Sequence, residues 1–258
     1  MTAPAVRRAV RGPERLPLAL AVLLVGAAIA YPLTDGGARD SVTWAIVLLG
    51  AAVSVTAAAV SRGRRTGLTV LALVAVVAVL FEALGLATGF PYGEYAYSDE
   101  LGPTLLGVPF LVPLAWLMMA WPSWVLAGWL LPRSRTGRVL VAGYVFAGWD
   151  VVLDPQMVQA GYWRWAHPTP GLPGIHTVPL TNLGGWLLAG LVLMTGVELM
   201  AGRTPSRGGD AAPLLVLAWM TLGGALAHAG WLGLPGSAAW GVLLALPVLV
   251  AVVRRLRR

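Results

Sequence analysis

The stretch Leu68–Thr88, LTVLALVAVVAVLFEALGLAT, follows the arginine cluster Arg62, Arg64 and Arg65 and holds one charged residue, Glu82. An apolar run of about 20 residues is what an α-helix needs to cross a bilayer core, where each backbone N–H and C=O must be satisfied within the segment. Arginines crowd one end and the lone acid lies toward the other. The pattern predicts a membrane helix with a fixed orientation.

The rest of the chain repeats that pattern. Of 258 residues, 58% are hydrophobic and only 11% are charged, whereas a soluble domain carries about 25%. This is the composition of an all-α, polytopic membrane protein, and residues 1–258 read as one integral membrane domain. Further spans fall at Leu16–Leu33, Val42–Val60, Leu105–Leu131, Arg138–Leu153, Leu183–Ala201, Leu214–Leu232 and Ala238–Val253, making eight with Leu68–Thr88. The fourth is overlong and interrupted by Pro109, Pro113 and Pro122, which predicts a kink or a re-entrant start. The fifth is short. The basic stretch before Leu16 resembles a signal peptide, but the apolar run behind it is long and one of many, so it reads as a retained first helix.

The arginines test the assignment independently. All 18 basic residues are arginine, and eight spans put 16 of them on one side, leaving Arg39 and Arg164 opposite. Those 16 are Arg7, Arg8, Arg11, Arg15, Arg62, Arg64, Arg65, Arg133, Arg135, Arg138, Arg203, Arg207, Arg254, Arg255, Arg257 and Arg258. The excess predicts N- and C-termini in the cytoplasm and insertion in the plasma membrane. Seven spans would put the basic C-terminus outside. Charges at the ends of apolar runs serve topology, so the partner implied is the lipid bilayer and not nucleic acid. The chain has no cysteine and three separated histidines, which excludes disulfides and thiolate chemistry and argues against a metal or any other cofactor. No internal repeat marks a transporter built from duplicated halves.

Two connections on the arginine-poor side are long and aromatic: GFPYGEYAYSDELGPTLLGVP after the third span and DPQMVQAGYWRWAHPTPGLPGIHTVPLTN after the fifth. Loops of that length in a compact protein are functional or disordered, and their tyrosines and tryptophans suit them for packing. Beside them lie Glu82, Asp150 and Asp154. Charges at membrane depth face a protein interior or a water-filled cavity. Asp150 and Asp154 are four residues apart, on one helix face, with Pro155 expected to close the helix just beyond. Two carboxyls sharing a poorly solvated place are expected to retain one proton between them, and a carboxylic acid in an apolar pocket is a general acid. Asp150, the deeper of the two, is the expected donor, with Asp154 as its proton-holding partner and Glu82 as a third candidate. Glu198 is expected to be structural, paired with Arg203 or solvent.

The surroundings hold no nucleotide loop, no Ser-His pair and no Asp-rich diphosphate motif. They hold aromatic rings and amides. Protonating an apolar alkene would give a carbocation that aromatic faces stabilise and that a positioned water could capture. Asn182, Tyr162, Trp163, Trp165, Tyr95, Tyr97 and Gln156 are candidates for holding substrate or water. A belt of interfacial aromatics is the bland alternative for the rings. His228 reads as a core hydrogen-bonding residue, and His167 and His176 as solvated loop residues.

At these residues the sequence resembles the carotenoid-biosynthesis membrane proteins of the bacterioruberin and carotenoid 1,2-hydratase family. The matching stretches are Phe90–Met119, FPYGEYAYSDELGPTLLGVPFLVPLAWLMM; GWDVVLDPQMVQAGYWRW from Gly148; and Val178–Trp186, VPLTNLGGW. The resemblance implies a cofactor-independent hydratase, a hydro-lyase adding water to the terminal C=C of an acyclic C40 or C50 carotenoid. It also implies neighbouring enzymes of the carotenoid pathway as partners. Two alternatives stay open: a lycopene-type cyclase, in which an internal alkene captures the cation, and a carotenoid-binding or transport protein without turnover.

Overall fold

The structure, a computed structural model, describes residues 12–202, Thr204 and 206–257. Arg7, Arg8, Arg11, Arg203 and Arg258 lie outside the described residues. Eight helices are long and apolar enough to cross a membrane, and the chain is an all-α, multi-pass membrane protein. The spans are built of α1 (Arg15–Ala30), α2 (Gly36–Arg62), α3 (Arg64–Thr88), α4 (Leu111–Leu130), α5 (Arg135–Gln159) and α6 (Leu180–Ala201), a seventh in two halves, and α9 (Pro235–Leu256). The seventh joins α7 (Ala211–Ala218) to α8 (Gly224–Gly230) through the π-helical segment Trp219–Gly223.

The helix α4 is the most buried span and α9 the least. In α4 the consecutive residues Trp116, Leu117, Met118, Met119, Ala120 and Trp121 are all buried, as expected of a helix apolar on every side. It packs against α2, α3, α5 and α7. Outward faces of the peripheral helices carry exposed Val22, Leu23, Val76, Leu80, Leu246 and Val250. Such a surface would be a liability in water; in a membrane it is the lipid face.

The overlong fourth span is corrected to a hairpin followed by a helix. Thr104–Leu105 (β2) pairs with Val108–Pro109 (β3), and α4 begins only at Leu111. Pro113 sits in its first turn, where a missing N–H costs nothing, and Pro122 lies inside the helix.

The fifth span is corrected in the other direction: α5 does not close at Pro155 but runs on to Gln159. A proline there leaves the carbonyl of Val151 without its helical donor. The hydroxyl of Ser237, from the start of α9, donates to that carbonyl at 3.1 Å. A donor 86 residues away in sequence thus lets the helix pass its proline.

The two long loops meet at one end of the bundle. Tyr95–Tyr97 (β1) pairs antiparallel with Trp163–Trp165 (β4), Tyr95 opposite Trp165 and Tyr97 opposite Trp163. The four rings share the inward face of this small sheet, while Ala96 and Arg164 are exposed on the other. Tyr92, Tyr95 and Trp165 are buried beneath. Gly85 of α3 and Gly185 of α6 make room for this packing. A Cβ on Gly85 would come within 2.9 Å of the Tyr92 ring, and one on Gly185 within 2.6 Å.

Candidate active site

Beneath the sheet lies a cavity of about 330 Å³. Asp154 and Gln156 of α5, Glu82 of α3 and Asn182 of α6 contribute its polar wall, and Tyr95, Tyr97, Trp163 and Trp165 roof it. Trp116, Trp149 and Trp186 form the apolar remainder, with the Trp116 and Trp186 ring centroids 5.0 Å apart. On one side the lining includes Ile29 of α1, Leu33 just past it, Leu226 of α8 and Trp231 just past that helix, each more than half exposed. Helix α1 packs on α7 but not appreciably on α8. The cavity therefore opens sideways, toward lipid, between α1 and α8.

Asn182 ties the aspartates together. Its side-chain nitrogen donates to Asp150 Oδ2 at 2.8 Å and to Asp154 Oδ2 at 2.5 Å. Asn182 is not on the loop, as expected, but in the first turn of α6, which begins at Leu180. Trp163 Nε1 donates to Asp154 Oδ1 at 3.2 Å. Asp150 and Asp154 are 1% and 3% exposed, and both accept only from uncharged groups. They differ in outlook. Asp154 lines the large cavity, whereas Asp150 lies behind it, against a small pocket next to Pro155, Leu172 and Ile175. The helix face they share thus points past the cavity at one carboxyl and into it at the other.

Glu82 occupies another part of the wall. Its Oε2 accepts from the hydroxyls of Tyr95 at 2.5 Å and Tyr97 at 2.8 Å. Burial, followed by the Glu82 carboxylate, holds both phenols well above the ordinary tyrosine range, so they stay protonated donors. Tyr97 stacks edge-on against Trp163, centroids 5.7 Å apart. The Trp163 N–H in turn reaches Asp154, so the two acids belong to one connected wall.

Gln156 is oriented by a chain that starts at the proline. Ser237 spends its only hydrogen on the Val151 carbonyl, so at 2.7 Å from His228 Nδ1 it must accept. The His228 ring is fully buried with no carboxylate in contact, and an imidazole so placed is neutral. Its Nε2 then has no hydrogen to give. The Gln156 amide lies 3.0 Å from Nε2; a donor is needed there, which puts the amide nitrogen toward His228 and its oxygen toward the hydroxyl of Tyr31, also in the cavity wall.

Tyr162 is placed apart from Glu82, Asp150 and Asp154 and does not line the cavity. Its hydroxyl donates to Asp40 Oδ1 at 2.6 Å and lies 3.2 Å from Thr43 Oγ1, fastening the loop to the start of α2. Glu198 is buried at the opposite end, paired with Arg138 of α5 and not left to solvent; Trp124 Nε1 donates to it at 3.0 Å and Arg135 lies 3.4 Å away. Sequence reading missed Trp186, Trp116 and Trp149 as cavity walls. Trp186 carried a usable signal, since it sits four residues after Asn182 on the same face of α6. Tyr92 Oη, of a cavity-lining residue, is buried without a protein partner, and so suits a polar atom of a ligand.

No solved structure matches the chain. A curated protein of Haloarcula japonica, bisanhydrobacterioruberin hydratase, is 38% identical over 133 residues, covering 50% of this chain and 43% of that protein. The chain thus aligns with less than half the length of this relative. Residues 42–252 match the family described as carotenoid biosynthesis protein, a stretch that takes in all three acids, the aromatic sheet and Asn182. The chain belongs to the carotenoid biosynthesis protein family.

Proposed function

We propose that this protein is a carotenoid hydratase that adds water across the terminal C=C of an acyclic carotenoid. One observation carries the reading: two buried acids, Asp154 and Glu82, line a single aromatic cavity with only uncharged donors around them. The hydratase of Haloarcula japonica supports the reaction class.

Asp154 is the proton donor, which reverses the order expected from depth along α5, because Asp154 and not Asp150 faces the cavity. The Asn182 amide holds Asp150 beside it, so that the two carboxyls share that proton directly. The alkene π pair takes the proton from Asp154 onto the less substituted carbon and leaves a tertiary cation. The faces of Trp163, Trp165 and Trp186 stabilise that cation. Water held at the Gln156 carbonyl oxygen adds to it, and the surplus proton passes to Glu82 and returns through water to the aspartates. The sum is one water added, with no cofactor. The lateral opening admits the substrate from the bilayer.

Expression in a host that accumulates acyclic carotenoids tests this directly. Pigments heavier by one water per reacted end are expected. Products of unchanged mass would mean cyclisation, and bound but unaltered pigment would mean a carrier. We also place the arginine-rich end, with both ends of this chain, in the cytoplasm. A reporter after Arg258 should then read as cytoplasmic and one near Ser98 as external; the opposite behaviour at either site overturns the topology.

A further inference from the structure

A second cavity of about 380 Å³ lies between α4, α5, α7 and α9. It extends from the first one toward the arginine-rich end. The two share Trp149 and Val152 as a common wall. Val152 is wedged between α8 and α9: a Cβ on Gly241 would come within 2.5 Å of it and one on Gly224 within 3.1 Å, so the two chambers adjoin across a single layer of side chains. The π-helical turn borders both chambers, with Trp219, Met220 and Gly223 on the first and Thr221 and Leu222 on the second.

The second chamber presents almost nothing but carbon. Its two hydroxyls are both turned away: Tyr144 donates to the Leu244 carbonyl at 2.8 Å and Thr221 to the Leu217 carbonyl at 2.7 Å. Apart from the indole N–H groups of Trp129 and Trp149, the lining offers no free side-chain polar group to orient a ligand, so water there would have few partners. On α4 the first chamber is lined between Leu111 and Met118 and the second at Leu126 and Trp129, so the outermost lining residues are Leu111 and Trp129. At about 1.5 Å rise per residue they lie about 27 Å apart, nearly the thickness of the hydrocarbon layer.

We propose that the second chamber holds the unreacted length of the polyene, so that one channel takes a rod-like hydrocarbon with its reactive end beneath Asp154. The proposal rests on the hydratase reading for the identity of that end. A chamber that adjoins the site across Trp149 and Val152 and is walled almost wholly by apolar side chains suits the long methyl-branched conjugated chain of such a polyene. It would also make length, and not only the end group, a basis for substrate choice.

The test compares two probes in purified wild type and in Ala245→Phe, which fills the chamber from α9. One probe is lycopene, the other farnesene, a short acyclic hydrocarbon with the same isoprenyl end. The substitution should cut lycopene hydration by about tenfold or more, the scale of a packing clash, and leave farnesene hydration within about twofold. Unchanged lycopene turnover would mean the tail leaves through the lateral opening and would overturn the proposal. A second measurement does not depend on turnover: p-benzoylphenylalanine replacing Val248 should, on irradiation with bound lycopene, give an adduct of polyene mass. An adduct of phospholipid mass alone would make the chamber a lipid site and reject the idea. If wild type hydrated neither probe, the hydratase reading would fall while the adduct still decided the chamber.

Discussion

The two ends of the bundle each bury carboxylates, and they treat them oppositely. At the arginine-rich end Glu198 is 4% exposed and is met by Arg138, Arg135 and the Trp124 N–H. At the aromatic end Asp150, Asp154 and Glu82 are as deeply buried, yet their partners are an amide, an indole and two phenols. A guanidinium fixes a carboxylate as an anion and leaves it no proton to give. Neutral donors orient the group without deciding its charge. Depth in the bundle therefore does not separate these acids; the charge of the shell does, and under the proposed function it marks which of them can hold a proton to give.

The contrast can be broken first at the ion pair. Glu198→Gln should destabilise the protein by about 3–5 kcal/mol, because it leaves Arg138 buried without its counter-charge. Thermal melting in detergent would read this, and turnover per folded molecule should hold. An unchanged melting temperature would show that the cluster does not secure α5 to α6. Next in size, Asp154→Asn should lower hydration by about a hundredfold or more in a carotenoid-producing host, with pigment still bound. Asp150→Asn should be milder. The reverse ranking would restore depth along α5 as the criterion and displace Asp154 from the donor role. The smallest effect is expected at Tyr162→Phe, which loses the bond to Asp40 and should cost about 1 kcal/mol of stability with turnover within about twofold. A fall matching Asp154→Asn would move Tyr162 into the site.

Much of this architecture was legible from apolar runs and arginines, because bilayer thickness and backbone bonding leave a chain few choices. Eight spans and a cluster of acids beneath aromatic loops follow from local pattern alone. What escaped depends on partners far off in sequence. Pro155 reads as a helix end until Ser237 supplies a donor to Val151. Leu105 reads as membrane helix because a two-residue strand has no periodicity of its own. The choice between Asp150 and Asp154 depends on how α5 is rotated about its axis, which neighbouring helices set. Glu198 was recognisable as structural, but its partner on α5 was not.

The pairing of Tyr95–Tyr97 with Trp163–Trp165 also constrains how the gene can change. Side chains alternate along a strand, so removing one residue sends everything beyond it to the opposite face. Deleting Ala96 would leave Tyr95 and Tyr97 pointing to different sides, so one phenol would lose Glu82. Losing Arg164 would split Trp163 from Trp165 in the same way. Descendants of this sequence should therefore tolerate insertions and deletions in the outer stretches of both long loops, while these two tripeptides keep their spacing even where the residues between the rings vary.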